Sequence, residues 1–170
     1  MAAAVSVIIS VTALAFSFFV FADNRRREKR DMFLHMHQLM ISDEVAKGRY
    51  ILFEKVKDKE SVERLADDEY RDVNRALATY NALGLYVENK YLRERDVMGI
   101  WAVPIYRAWH TAQPFVAHRA EFQGYVPWAY FEILARRAER DLSRRGITID
   151  VKVWSRVIQP ASEHANNLES

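Results

Sequence analysis

The sequence predicts an all-α protein: an N-terminal transmembrane helix, a cytoplasmic helical bundle, and a short extended C-terminal arm. Three observations carry this. Ala2–Ala22 is a run of 21 residues without a charge, while the 25 Lys/Arg and 23 Asp/Glu of the 170-residue chain all lie beyond it. Tyr70, Val73, Leu77, Tyr80, Gly84, Val87 and Tyr91 recur at spacings of three and four, the period of a core-facing helix. A period of two, the mark of a strand, appears at Ile147, Ile149, Val151 and Val153.

Residues 2–22 read as a membrane anchor, because a helix of that length at about 1.5 Å per residue covers the roughly 30 Å hydrocarbon core. Ser6, Ser10, Thr12 and Ser17 interrupt the run, but their hydroxyls can bond back to the preceding turn. A cleavable signal peptide is the competing reading, with Val20 and Ala22 at the cleavage positions. The charges oppose it: no Lys or Arg precedes the run, whereas Arg25, Arg26, Arg27, Lys29 and Arg30 follow. The same asymmetry places the N-terminus outside and the rest in the cytoplasm, at the cell (inner or plasma) membrane. The absence of cysteine agrees with a reducing compartment.

Residues 23–31 form a basic juxtamembrane segment with five basic and three acidic residues, leaving 20 of each in residues 32–170. Arg25, Arg26, Arg27, Lys29 and Arg30 are therefore the expected contact with anionic lipid head groups, at about 1 kcal/mol per basic residue. The balanced remainder offers no basic face for nucleic acid. Within the anchor, Ser6, Ser10, Ala13 and Ser17 make a small-residue face suited to helix packing, hence to a homo-oligomer or a membrane protein partner.

Residues 32–146 form the helical domain, long enough for a single core. The first helix continues to about Ile41. Ser42, followed by Asp43 and Glu44, signals a new start. Lys57–Glu60 reads as a charged loop, and Asp67 or Asp68 is expected to cap the start of the long helix. Its tyrosines need hydroxyl partners, so their tips are expected at the bundle edge. From Arg93 to Ala112 a helix is expected that Pro104 kinks or restarts. Pro114 begins a segment to Phe122, Gln123-Gly124 breaks it, Pro127 opens a last helix to Arg144, and Gly146 stops it. Residues 147–158 are an extended arm, packed on the domain or paired with a second copy, and 159–170 a flexible tail.

No phosphate loop, dinucleotide fingerprint, HExxH, GxSxG or CxxC is present, which argues against the commonest enzymes and leaves activity open. No metal is expected, since His118 and Glu121 alone have a helical ligand spacing, and nothing implies a cofactor. Asn74, Asn81 and Glu88 repeat every seven residues as a polar line on the long helix. These, with Arg119, are the candidate polar site; the alternative is that they bond neighbouring helices, through Arg107, Arg119 or a Trp indole, and fix register. Trp101, Trp109, Phe115, Trp128, Tyr130 and Phe131 concentrate in the second half, mostly as core, with any exposed subset a protein-binding patch.

YNALGLYVENKYL (80–92), WAVPIYRAWHTAQPFVAHR (101–119) and WAYFEIL (128–134) resemble an uncharacterised bacterial family of single-pass membrane-anchored helical proteins carrying a domain of unknown function. The likeness includes the asparagine and glutamate seven apart, Asn81 and Glu88, and implies no known activity, substrate or cofactor. The expected role is a membrane-anchored scaffold or accessory protein acting through protein contacts. The alternative is an enzyme or ligand sensor with a polar site near Glu88.

Overall fold

The structure, a computed structural model, describes residues 2–149, with side chains of the first helix described from Leu14 onward except Ala15 and Ala22. The described residues form seven helices and no strand: α1 (Ala2–Ile41), α2 (Asp43–Lys55), α3 (Lys59–Glu63), α4 (Asp67–Glu88), α5 (Glu94–Thr111), α6 (Gln113–Gln123) and α7 (Ala129–Arg144). The chain divides into two compact units, Met1–Gln38 and Leu39–Ser170.

In the first unit, Leu14, Phe16, Phe18, Phe19 and Phe21 are exposed. The charged stretch follows, with Arg27 Nε donating to Asp23 at 2.9 Å and Arg30 pairing with Asp31 at 3.5 Å. The transmembrane reading of Ala2–Ala22 is corrected here. Among the described residues no helix is long and apolar enough to cross a membrane. Ser17 of the small-residue face is exposed, while the side chains of Ser6, Ser10 and Ala13 lie outside the described set.

The second unit is organised by α4, which packs against both α2 and α7; α5 packs on α7, and α3 on α6. The middle of the three–four stripe faces the core: Val73, Leu77, Tyr80, Gly84 and Val87 are buried, joined by Leu52, Ile105, Phe115, Phe131 and Leu134 from neighbouring helices, whereas Tyr70 is half-buried and Tyr91, beyond the end of α4, is exposed. Two glycines set how closely the helices approach. A Cβ on Gly48 of α2 would overlap the Asp72 backbone of α4, and a Cβ on Gly84 would overlap the Tyr130 backbone of α7. Both side-by-side contacts of α4 are thus backbone-close at one point.

Helix ends follow local chemistry, with several departures from expectation. Ser42 caps α2, its hydroxyl accepting from Val45 N at 3.5 Å. Residues 57–60 are not a plain loop: α3 forms there because Asp58 accepts from Ser61 N at 2.8 Å while Ser61 Oγ accepts from Asp58 N at 3.0 Å. The N-cap of α4 is Ala66, one residue early, and Glu69 accepts from its N–H at 3.3 Å. Helix α5 runs through Pro104 without restarting, its buried Trp101, Ala102, Ile105 and Ala108 holding both sides of the ring to the core.

Pro114 stands in the first turn of α6, and Gly124 ends it in the left-handed conformation (φ 70°). Helix α7 begins at Ala129 rather than Pro127, because Trp128 is itself left-handed (φ 59°). Gly146 (φ 67°) closes α7 as expected. Tyr80 departs from the expectation for the tyrosines: its tip is buried, not at the edge. The extended arm is described only from Ile147 to Ile149, where no strand forms; its remainder and residues 159–170 lie outside the described residues.

Candidate functional site

The polar line on α4 is used for contacts between helices, each with a different partner. Asn74 accepts from Arg119 Nη1 of α6, and the Arg119 guanidinium lies 5.2 Å from the Trp128 ring centroid. The indole also packs against Phe115, which in turn meets Tyr70 at 4.6 Å. Arg119 is therefore stacked and hydrogen-bonded at once, the combination its planar fork suits.

Asn81 acts on α7 from 49 residues away. Trp128, the N-cap of α7, supplies no side-chain cap. Asn81 Oδ1 instead accepts from Tyr130 N at 3.1 Å and Phe131 N at 3.2 Å. It performs in trans what a local Ser or Asp does at most helix starts, accepting from the Tyr130 N–H and sharing the Phe131 N–H with the Trp128 carbonyl. Gly84, one turn further on, lets the same end of α7 sit against α4.

Glu88 pairs with Arg137 of α7, whose other nitrogen reaches Glu94 at 3.0 Å. Arg137 is only 21% exposed, so the two carboxylates hold a largely covered cation and tie α4, α5 and α7 together. Glu88 itself is 41% exposed.

Of the four candidate residues, the structure joins only Asn74 and Arg119. Asn74, Asn81 and Glu88 are seven residues apart on one helix, about 10 Å from one to the next, too far to converge on one small ligand. The line's side chains bond neighbouring helices, through Arg119 as weighed from sequence and through Arg137, which sequence reasoning missed. The heptad spacing pointed to the helix face; nothing local pointed to the partner. Arg107 serves elsewhere, its guanidinium 4.7 Å from the Phe53 ring centroid.

A cavity of about 340 Å³ lies at the C-terminal end of α7, lined by Tyr106, Glu139, Leu142, Gly146 and Ile149 among others. It contains none of the four candidate residues. His118 is buried between the Tyr70 and Phe122 rings, at 6.2 and 4.9 Å between centroids, a packing position. Among the described residues no group of three or more His, Asp or Glu is placed to hold a metal ion.

Several exposed charges pair across helices. Lys47 bonds Asp72 at 2.7 Å, Lys55 bonds Glu69, and Lys59 bonds Glu121 at 2.6 Å. The Lys55 ammonium holds Glu69 below the usual carboxylate range, and Lys59 does the same to Glu121. The Ser61 amide depresses Asp58 in the cap of α3. Lys47 and Lys59 are raised by the carboxylates they meet. These pairs clamp α2 to α4 and α3 to α6.

In the second unit, exposed apolar residues gather at the turn between α6 and α7. Phe122, Tyr125 and Val126 are 78%, 64% and 57% exposed, within five positions between α6 and α7. The turn lies between left-handed Gly124 and left-handed Trp128, whose indole stacks with Arg119, and Pro127 is buried between them.

No curated protein and no solved structure matches the chain. A family model does, over residues 1–138, from α1 through most of α7. It includes every contact of the polar line described above, and the chain belongs to the family described as Domain of unknown function (DUF4760).

Proposed function

We propose that this protein is a helical scaffold or accessory protein that works through protein contacts made by the α6–α7 turn. The observation that carries the reading is the exposed triplet Phe122, Tyr125 and Val126 on the turn between left-handed Gly124 and Trp128 and the helix before it. Scattered exposed apolar residues are ordinary, but large ones gathered on one turn cost solubility and favour burial by a partner. Aromatic anchors make efficient hot spots. A polar ligand site near Glu88 is the weaker reading, because the groups that would build it already bond other helices.

The test is a comparison of the protein with a Phe122→Ser/Tyr125→Ser variant, both recovered from their native host and weighed by native mass spectrometry. A stoichiometric complex or fixed oligomer with the parent, absent from an equally stable variant, supports the reading. The same mass for both opposes it.

A second contact rests on Arg25 and Arg26, which are exposed and meet no acidic partner among the described residues. Attraction to anionic lipid head groups is the role proposed for them, together with Arg27, Lys29 and Arg30. Binding to vesicles containing phosphatidylserine should fall steeply between low and physiological salt. Salt-independent binding would point away from these charges.

A further inference from the structure

Tyr80 lies midway along α4, fully buried, and its hydroxyl has no hydrogen-bond partner among the described residues. Its ring is well accounted for, stacked on Phe131 at 4.8 Å with the planes 12° apart. The oxygen is not. Phenylalanine would give the same stack without stranding a polar atom, and buried polar groups in folded proteins nearly always find a partner.

The groups that act on this oxygen are cationic. Arg49 of α2 stands within donor reach without closing a well-aligned bond, and Arg107 of α5 acts on it electrostatically. Each guanidinium is held by a neighbour. Arg49 Nη1 donates to the Met40 carbonyl at 2.8 Å, and Arg107 lies over the Phe53 ring. Helices α2, α4 and α5, which carry the three groups, all pack on one another. Both arginines are half-buried, whereas the hydroxyl is wholly interior. Burial disfavours the charge on Arg107 and raises the Tyr80 phenol well above its ordinary range, so the phenol keeps its proton.

We propose that Arg49, Arg107 and the Tyr80 hydroxyl form a binding site for a small oxyanion, a carboxylate or a phosphate. The hydroxyl would donate one bond and the two guanidinium forks the others, the geometry that planar or tetrahedral oxyanions accept best. An anion there gives the stranded hydroxyl its acceptor beside two guanidinium groups. A buried water is the rival occupant. The site is separate from the polar line of α4 and from the exposed turn.

The test uses the purified full chain, titrated with inorganic phosphate and separately with acetate, sodium chloride holding the ionic strength constant. A saturable rise in melting temperature with one or both anions, and none with chloride, is expected. Whichever binds more tightly identifies phosphate or carboxylate as the natural chemistry. Tyr80→Phe keeps the ring stack and should weaken binding roughly tenfold or more, as loss of a hydrogen bond to a charged group does. Arg107→Gln should do the same, and Arg140→Gln, on the exposed side of α7, should not. Should Arg107→Gln fail to fold, Arg107→Lys keeps the charge, removes the fork and should still bind more weakly. Absence of a saturable effect, or unchanged binding by Tyr80→Phe, overturns the proposal and leaves the water.

Discussion

Replacing Asn81 by alanine removes the acceptor for the first turn of α7 while leaving the α4 helix intact. Two N–H groups are affected unequally. Phe131 N also bonds the Trp128 carbonyl at 2.9 Å and keeps that partner, so its loss is partial. Tyr130 N has Asn81 as its acceptor, but Tyr130 is 38% exposed and water can replace part of the bond. The expected cost is therefore about 1 kcal/mol, the middle of the range for a lost helix cap and not its upper end. Asn81→Asp keeps the acceptor and adds a negative charge at the positive end of the helix. It should be neutral or stabilising by about 0.3–1 kcal/mol. Urea unfolding followed by far-UV circular dichroism measures both, and hydrogen exchange at the Tyr130 and Phe131 amides localises the effect. A loss below about 0.5 kcal/mol for Asn81→Ala, with exchange at those amides unchanged, would refute the capping role.

Gly84→Ala and Gly48→Ala should each destabilise by about 1–3 kcal/mol or more, since the added methyl meets backbone that cannot rotate away; melting temperatures check this. Phe131→Ala should cost about 3–5 kcal/mol, because the ring is fully buried and contacts both Tyr80 and Trp109. Glu88→Gln, at a partly exposed carboxylate whose cation keeps Glu94, should cost under about 1 kcal/mol and leave the fold intact, read by urea unfolding. The depressed carboxylates Asp58, Glu69 and Glu121 contribute stability that is present above their unfolded values, 3.8 for Asp and 4.5 for Glu, and lost as pH falls through the lower folded values. Lys47 and Lys59, raised in the fold, contribute stability present below 10.5 and lost as pH climbs past it. Melting temperature against pH should show both losses, and the acid one should shrink in Glu69→Gln.

What could be read from the sequence was what is local. The stripe Val73–Leu77–Tyr80–Gly84–Val87 was legible because helical period is a property of one segment, and Gly124 and Gly146 because a left-handed residue is where glycine belongs. The Asp58–Ser61 cap was present in the sequence too, but the four charged residues Lys57–Glu60 read as loop. Long-range partners were not legible. Asn81 showed its helix face without showing that its acceptor serves the amide of Tyr130, 49 positions on, in a helix whose N-cap tryptophan supplies no cap. The close approach at Gly84 depends on a tyrosine backbone far away in the chain. Arg137 looked like one charge among many until Glu88 and Glu94 closed on it. The anchor reading rested on hydropathy over Ala2–Ala22, and no helix among the described residues supports it.

The most direct test of the central claim places a photo-crosslinking residue at Tyr125 in the native host, with the same residue at Arg140 as a control on α7. The account predicts a discrete protein adduct from Tyr125 that disappears when Phe122→Ser is added, and none from Arg140. An absence of adduct at Tyr125, or equal adducts at both positions, would contradict a partner bound at the α6–α7 turn.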